Sequence, residues 1–224
     1  MNDSLKNNSA ADVVVGVVDI GLGNVQAVMR SLRDQGVVSI SVSGPGDLAL
    51  CDGVVLPGVG SFDAGVTALH SSKLFFALQE YVYQDSKPLL GICLGMQLLG
   101  RESEEGDLDG LSVVPGRTIA MRSRRHELRI PHVPNMGWCH VNSVSDIWKV
   151  SGEKAAMDDR FYFVHSYYFD CDYAQDRLLV LREDEEIVAA VARDNIWGFQ
   201  FHPEKSHIYG KNAIRRWIGS FVCP

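Results

Sequence analysis

The sequence predicts an α/β fold: a three-layer sandwich whose central sheet is mostly parallel, with antiparallel strands added to it. Three observations carry this. The run Val13-Val14-Val15-Gly16-Val17-Val18 is continuously apolar and β-branched, the pattern of a strand covered on both faces in a parallel sheet. The first half of the chain alternates strand-like and helix-like segments, β-α-β-(α)-β-α-β-α, which demands crossover connections. The second half breaks into shorter alternating stretches, as antiparallel or mixed pairing requires.

The first strand runs into the glycine-rich turn Asp19-Ile20-Gly21-Leu22-Gly23-Asn24, and Val25, Val28 and Leu32 then mark one face of a helix. A strand, a Gly-x-Gly turn and a helix invite a dinucleotide-binding reading, but Gln26 stands where the third glycine belongs, which favours a plain βα loop. Val37–Val42 and Gly53–Leu56 read as the next two strands. The latter enters Pro57-Gly58-Val59-Gly60-Ser61-Phe62, whose glycines could turn backbone N–H groups towards a ligand. A helical segment follows from about Asp63 to Tyr83, broken near Ser71-Ser72, and a fourth strand through Leu89, Leu90 and Ile92 delivers Cys93.

Beyond the acidic loop Glu102–Asp109, the stretches Ser112–Val114, Thr118–Met121, His126–Ile130, Cys139–Val141, Phe161–His165, Leu178–Leu181, Ile187–Val191 and Ile196–Phe201 read as strands. An amphipathic helix from about Tyr209 to Val222 closes the chain. The 224 residues, 46% hydrophobic and 22% charged, suit a single domain over residues 12–224. Residues 1–11 are polar and read as a disordered tail, without the basic start and apolar run of a signal peptide.

A net charge of -7 argues against a nucleic-acid or anionic-membrane partner. The densest basic stretch, Arg122, Arg124, Arg125 and Arg129, reads as a solvated face. The five cysteines (Cys51, Cys93, Cys139, Cys171, Cys223) are widely spaced and contain no C-x-x-C pair, which favours a reducing cytoplasm over a disulfide framework. No apolar stretch is long enough to cross a bilayer.

Gly91-Ile92-Cys93-Leu94-Gly95 joins a strand to an apolar segment containing Met96, Leu98 and Leu99. The spacing Gly-x-nucleophile-x-Gly describes a sharp turn that presents one side chain at a helix N-terminus, where N–H groups favour a thiolate. Cys93 could equally be a small buried core residue. The carboxyl ends of the strands place Gly21–Asn24, Pro57–Gly60 and Cys93 around one crevice, which strengthens the functional reading. His202 and Glu204, two apart at a strand end, could let a carboxylate hold one imidazole nitrogen and leave the other for a thiol. A metal site is the weaker alternative, since no third ligand stands at a telling spacing. The backbones of Leu94 and of Val59 or Gly60 form the natural pair of donors for an oxyanion.

Three segments now converge on a family. Gly91-Ile92-Cys93-Leu94-Gly95-Met96-Gln97, Pro57-Gly58-Val59-Gly60 and Gln200-Phe201-His202-Pro203-Glu204-Lys205-Ser206 resemble the class I (triad) glutamine amidotransferases, whose sheet is flavodoxin-like. Ser103-Glu104-Glu105-Gly106, Pro134-Asn135-Met136-Gly137-Trp138 and Phe161–Tyr167 further resemble the glutaminase subunits of imidazole glycerol phosphate synthases. α/β-hydrolases share the nucleophile turn but place their acid well before the histidine.

The resemblance implies that Cys93, His202 and Glu204 hydrolyse L-glutamine, with no cofactor or metal. Gln97, Ser166 and Tyr167 would hold the substrate, and Gly58, Val59, Gly60 and Leu94 would form the oxyanion hole. Asn24, Met136, Trp138 and Lys205 would face a (β/α)₈-barrel synthase subunit that receives the ammonia in a heterodimer. Asp19-Ile20-Gly21, Asn135 and Cys139 depart from the family pattern on that face. Lys205-Ser206-His207-Ile208-Tyr209-Gly210 resembles relatives that serve surface-polysaccharide sugar pathways. The alternatives are therefore a paralogous glutaminase feeding such a pathway and a catalytically silent, partner-activating scaffold.

Overall fold

The computed structural model describes residues 13–124, 127, 129, 132–148 and 159–222. The expected tail, residues 1–11, lies outside them, as does most of the expected strand His126–Ile130. Strand β1 (Val14–Val18) sits between β2 (Val38–Val42) and β3 (Gly53–Gly58), parallel to both. Strand β4 (Leu89–Cys93) pairs with β3, and β11 (Ile196–Phe199) with β4, again in parallel. The order β2-β1-β3-β4-β11 is that of a flavodoxin-like sheet.

The antiparallel strands continue from β11 through β10 (Val188–Arg193), β9 (Arg177–Leu181), β6 (Asn135–Ser143) and β7 (Arg160–His165). Two more, β5 (Gly116–Ala120) and β8 (Tyr167–Cys171), pair with each other, and β8 also meets β10. Strands β1, β3, β4 and β11 are buried on both faces, with alternate residues entering opposite cores, whereas the edge strand β2 is largely exposed. Val55, Leu90 and Trp197 join α1 (Val25–Arg33) and α6 (His207–Gly219) in one core. Val54, Leu89 and Ile196 join α3 (Phe62–Ser71) and α4 (Leu74–Tyr83) in the other.

Local chemistry sets the helix limits. Asn24 caps α1 by accepting from the Ala27 N–H at 3.1 Å, and Val25, Val28, Met29 and Leu32 form its buried stripe. The α3–α4 break falls where expected. The Ser72 hydroxyl donates to the carbonyls of Ala68 and Leu69, and Lys73 turns left-handed at φ 61°.

Several sequence expectations are corrected. Ser112–Val114 is not a strand: the N–H groups of residues 111–114 are spent on the carbonyls of Leu98, Leu99 and Gly100. The same loop limits the segment after Cys93 to one turn, α5 (Leu94–Gln97), so dipole support for a thiolate there is short-range. The short helix α2 (Pro45–Leu48) and strand β8 carry too little periodicity to be read in advance. Strand β6 starts four residues before the expected Cys139 and ends two after Val141, because the polar and exposed residues along it conceal a continuous ladder with β7.

Glycine matters most at the β4–α5 turn. A Cβ on Gly95 would stand 1.8 Å from the Leu56 carbonyl oxygen, and one on Gly91 2.5 Å from the Gly95 oxygen. Gly95→Ala is therefore expected to cost at least about 3 kcal/mol, the upper range for overpacking a core. Gly46, on α2 with open space around it, should accept Ala with a change under about 1 kcal/mol. Urea unfolding midpoints of the two variants test the contrast, and equal midpoints would refute the packing argument.

Candidate active site

Strand β4 ends at Cys93, whose backbone lies at φ 55°, ψ -110°, a conformation that costs a non-glycine residue roughly 1–3 kcal/mol. Cys93 stands in register beside Gly58 at the end of β3. A Cβ on Gly58 would meet the Leu94 Cβ at 2.9 Å, so a glycine there lets the two strand ends close together. Cys93 is 7% exposed and opens on a cavity of about 390 Å³. Val59, Gly60, Leu94, Gln97, Ser166, Tyr167 and His202 line it as well, all of them singled out by sequence. Gly21–Asn24 does not line it, although Gly23 packs on the Pro57–Gly58 backbone.

His202 arrives by a handover between ladders. Past β11, the Gln200 N–H bonds the Ala189 carbonyl and the His202 N–H bonds the Tyr162 carbonyl, which carries the chain from β10 to β7. Pro203–Lys205 then forms a single 3₁₀ turn. The turn, rather than the period of a strand, brings the Glu204 carboxylate back to His202, with Nδ1 and Oε1 2.8 Å apart. Both side chains are nearly buried, at 3% and 5% exposure.

The ring's other nitrogen, Nε2, is buried and makes no hydrogen bond of ordinary geometry. Burial works against a charged ring here, but hydrogen bonding and charge from Cys93 and Glu204 outweigh it and raise His202 to about 9. The Cys93–His202 contact is thus longer or less aligned than a formed hydrogen bond, yet close enough for the sulfur to favour the ring's proton. Such contacts tighten when substrate is bound.

A second histidine in the cavity has the opposite character. His165 Nδ1 lies 2.7 Å from the Tyr167 carbonyl, which can only accept, so Nδ1 carries the proton. Its Nε2 therefore accepts from the Asn135 amide at 3.0 Å. Burial lowers His165 to about 4, aided by the charge of His202 and opposed by the Tyr167 carbonyl, so the ring is neutral.

Sequence reasoning gave no role to His165, Pro134, Val164 or Glu105, which also line the cavity. Glu105 is the one carboxylate among the lining residues, and it accepts from the Phe62 N–H at 2.8 Å. Its signal was present in the segment Ser103–Gly106, where spacing alone did not say which acid turns inward. Among the described residues no group of three His, Cys, Asp or Glu side chains could hold a metal ion.

The residues expected at a partner face are exposed. Met136 and Trp138 alternate with inward residues along β6, at 62% and 43% exposure. Trp138 stacks on His207 with ring centroids 5.6 Å apart and meets Tyr162 edge-on, and the Lys205 ammonium lies 5.8 Å from the centre of that Tyr162 ring. Asn24 is also exposed, with its side-chain oxygen spent on capping α1.

Residues 16–217 match the family model for class-I glutamine amidotransferases. The chain is 38% identical to the imidazole glycerol phosphate synthase subunit HisH 2 of Methanococcus maripaludis, over 92% of this chain and 98% of that protein. It is also 38% identical to the subunit of the same name from Pseudomonas aeruginosa, with the same coverage. A crystal structure of a glutamine amidotransferase superposes with a TM-score of 0.71 at 14% identity, over 91% of this chain and 96% of that one, a likeness of fold. The chain belongs to the class-I glutamine amidotransferase family.

Proposed function

We propose that this protein is the glutaminase subunit of an imidazole glycerol phosphate synthase. In this reading it hydrolyses L-glutamine in the cytoplasm and passes the ammonia to a (β/α)₈-barrel synthase subunit within a heterodimer. The observation that carries the reading is the His202–Glu204 pair, 2.8 Å apart, whose free Nε2 shares a cavity with the strained Cys93. The similarity to the HisH subunits supports the pathway.

The chemistry follows from the parts. The Cys93 thiolate attacks the side-chain amide carbon of glutamine. The resulting oxyanion is met by backbone N–H groups of Leu94 and of the Gly58–Gly60 loop, each worth about 3–4 kcal/mol in such sites. His202, charged at neutral pH and held by Glu204, gives its proton to the departing nitrogen, which leaves as ammonia. The neutral ring then takes a proton from water as the water attacks the glutamyl thioester, releasing glutamate and restoring the thiolate–imidazolium pair. Gln97, Ser166 and Tyr167 hold the substrate, and the Glu105 carboxylate is the natural mate for its α-ammonium group. Trp138, Met136, Lys205 and Asn24 face the synthase subunit.

Cys93→Ala should lower glutamine-dependent product formation by the assembled synthase more than about a thousandfold, as removal of a covalent nucleophile does. Turnover with ammonium salt should stay within about twofold of native, since the acceptor subunit is untouched. Equal loss of both activities would overturn the division of labour. Glutamine hydrolysis without formation of imidazole glycerol phosphate would point to another ammonia acceptor, such as one in a surface-glycan pathway.

The pH profile gives a second test. His202 is raised from 6.5 to about 9, so the charged ring is present below that value and is lost as pH rises through it. Its contribution to stability has the same sign: full below the unfolded value of about 6.5 and gone above about 9. The hydrolysis rate of the native protein should fall on an alkaline limb near pH 9. Glu204→Gln removes a charge that favours the imidazolium and should move that limb to lower pH. An unmoved limb would remove Glu204 from the mechanism.

A further inference from the structure

Gln200 has no place in the chemistry above, although it is fully buried two residues before His202. The direction of its amide can be assigned by elimination. The Tyr167 carbonyl can only accept, so the Gln97 group 3.3 Å from it is the NH₂. That nitrogen also lies 3.1 Å from the Gln200 side chain, which must therefore offer its oxygen. The Gln200 NH₂ is left facing the Cys93 sulfur at 3.9 Å, within reach of a hydrogen bond to sulfur. Both protons of the Gln97 amide are thereby committed, and neither side chain can flip without leaving a buried donor unpaired.

We propose that Gln200 is a further residue of the glutaminase centre, whose side-chain amide donates to the Cys93 sulfur and, through Gln97, ties the nucleophile to the Tyr167 strand of the glutamine cavity. The chain of contacts is Cys93 Sγ, Gln200 amide, Gln97 amide, Tyr167 carbonyl. A negative sulfur gains from that donor far more than a neutral thiol does, so the contact favours the attacking form. It also opposes rotation of the Cys93 side chain away from the substrate. Because β8 carries Tyr167, the strand that holds glutamine and the group that attacks it are positioned by one rigid link.

The inference rests on the glutaminase reading for its catalytic consequence, but its test need not. The rate of Cys93 carboxamidomethylation by iodoacetamide at neutral pH reports thiolate availability without glutamine or a partner, and peptide mass spectrometry separates Cys93 from the other cysteines. Gln200→Met keeps the length and volume and removes the donor, and should slow alkylation about tenfold, as expected for a lost hydrogen bond to a charged group. The kcat for glutamine hydrolysis should fall in parallel, with KM within about twofold of native, because the donor serves the attacking sulfur and not substrate binding. A residue that merely fills space would leave alkylation at the native rate in Gln200→Met, and that result would overturn the proposal. If Gln200→Met does not fold, Gln97→Leu removes the anchor that orients Gln200 and should slow alkylation in the same direction. Native reactivity in Gln97→Leu would overturn the proposal as firmly. Normal alkylation effects with no glutamine hydrolysis by the native chain assembled with its synthase subunit would instead refute the glutaminase reading and leave the contact standing.

Discussion

The close approach of the β4–α5 turn to strand β3 governs the rest of the molecule. The Leu56 carbonyl occupies the place where a side chain on residue 95 would begin. Strands β3 and β4 run parallel in register, so their ends, Gly58 and Cys93, come out side by side. The chain must reverse from strand to helix within that gap, and Cys93 takes the strained backbone at φ 55° as a result. The strain persists because its surroundings are buried and dense: Gly91 beneath, Met96 against Gly198, and Leu98 against Gly65. Backbone packing therefore aims the thiol before any polar contact acts on it.

Within the cavity, two buried histidines show how neighbours decide charge. His202 sits against a carboxylate and a sulfur, and these outweigh its desolvation. His165 is hydrogen-bonded only to a carbonyl and an amide, both neutral, and desolvation, helped by the nearby His202 charge, keeps the ring uncharged. One holds a proton near neutral pH. The other can serve only as fixed geometry, holding the Tyr167 carbonyl in place.

Much of this was legible in the sequence because it depends on short-range rules. A β-branched run marks β1, and Gly91-x-Cys93-x-Gly95 marks a turn that tolerates no Cβ. Pro203 between His202 and Glu204 marks the end of a ladder. What escaped were features set by distant partners. Strand β8 follows β7 after the single residue Ser166, with no glycine or proline to announce the change, because its partners β5 and β10 lie far away in sequence. Ser112–Val114 has the composition of a strand but spends its donors on the Leu99 and Gly100 carbonyls just past α5. Glu105 and Gln200 stood in segments already singled out, yet only the folded chain shows which side chain of each segment turns inward.

The alternation along β6 bears on how such a protein can diverge. Asn135 and Cys139 point inward, the thiol of one donating to the amide oxygen of the other at 3.5 Å while the amide nitrogen holds His165. Met136 and Trp138 point outward between them. Substitutions at the outward pair can reshape the exposed face at little cost to the cavity, since successive residues of a strand do not share neighbours. The inward pair is a lock of two parts, and a change in one removes the other's partner. Surface and cavity thus sit on one strand under separate constraints, the outward pair answering to whatever covers that face and the inward pair to each other.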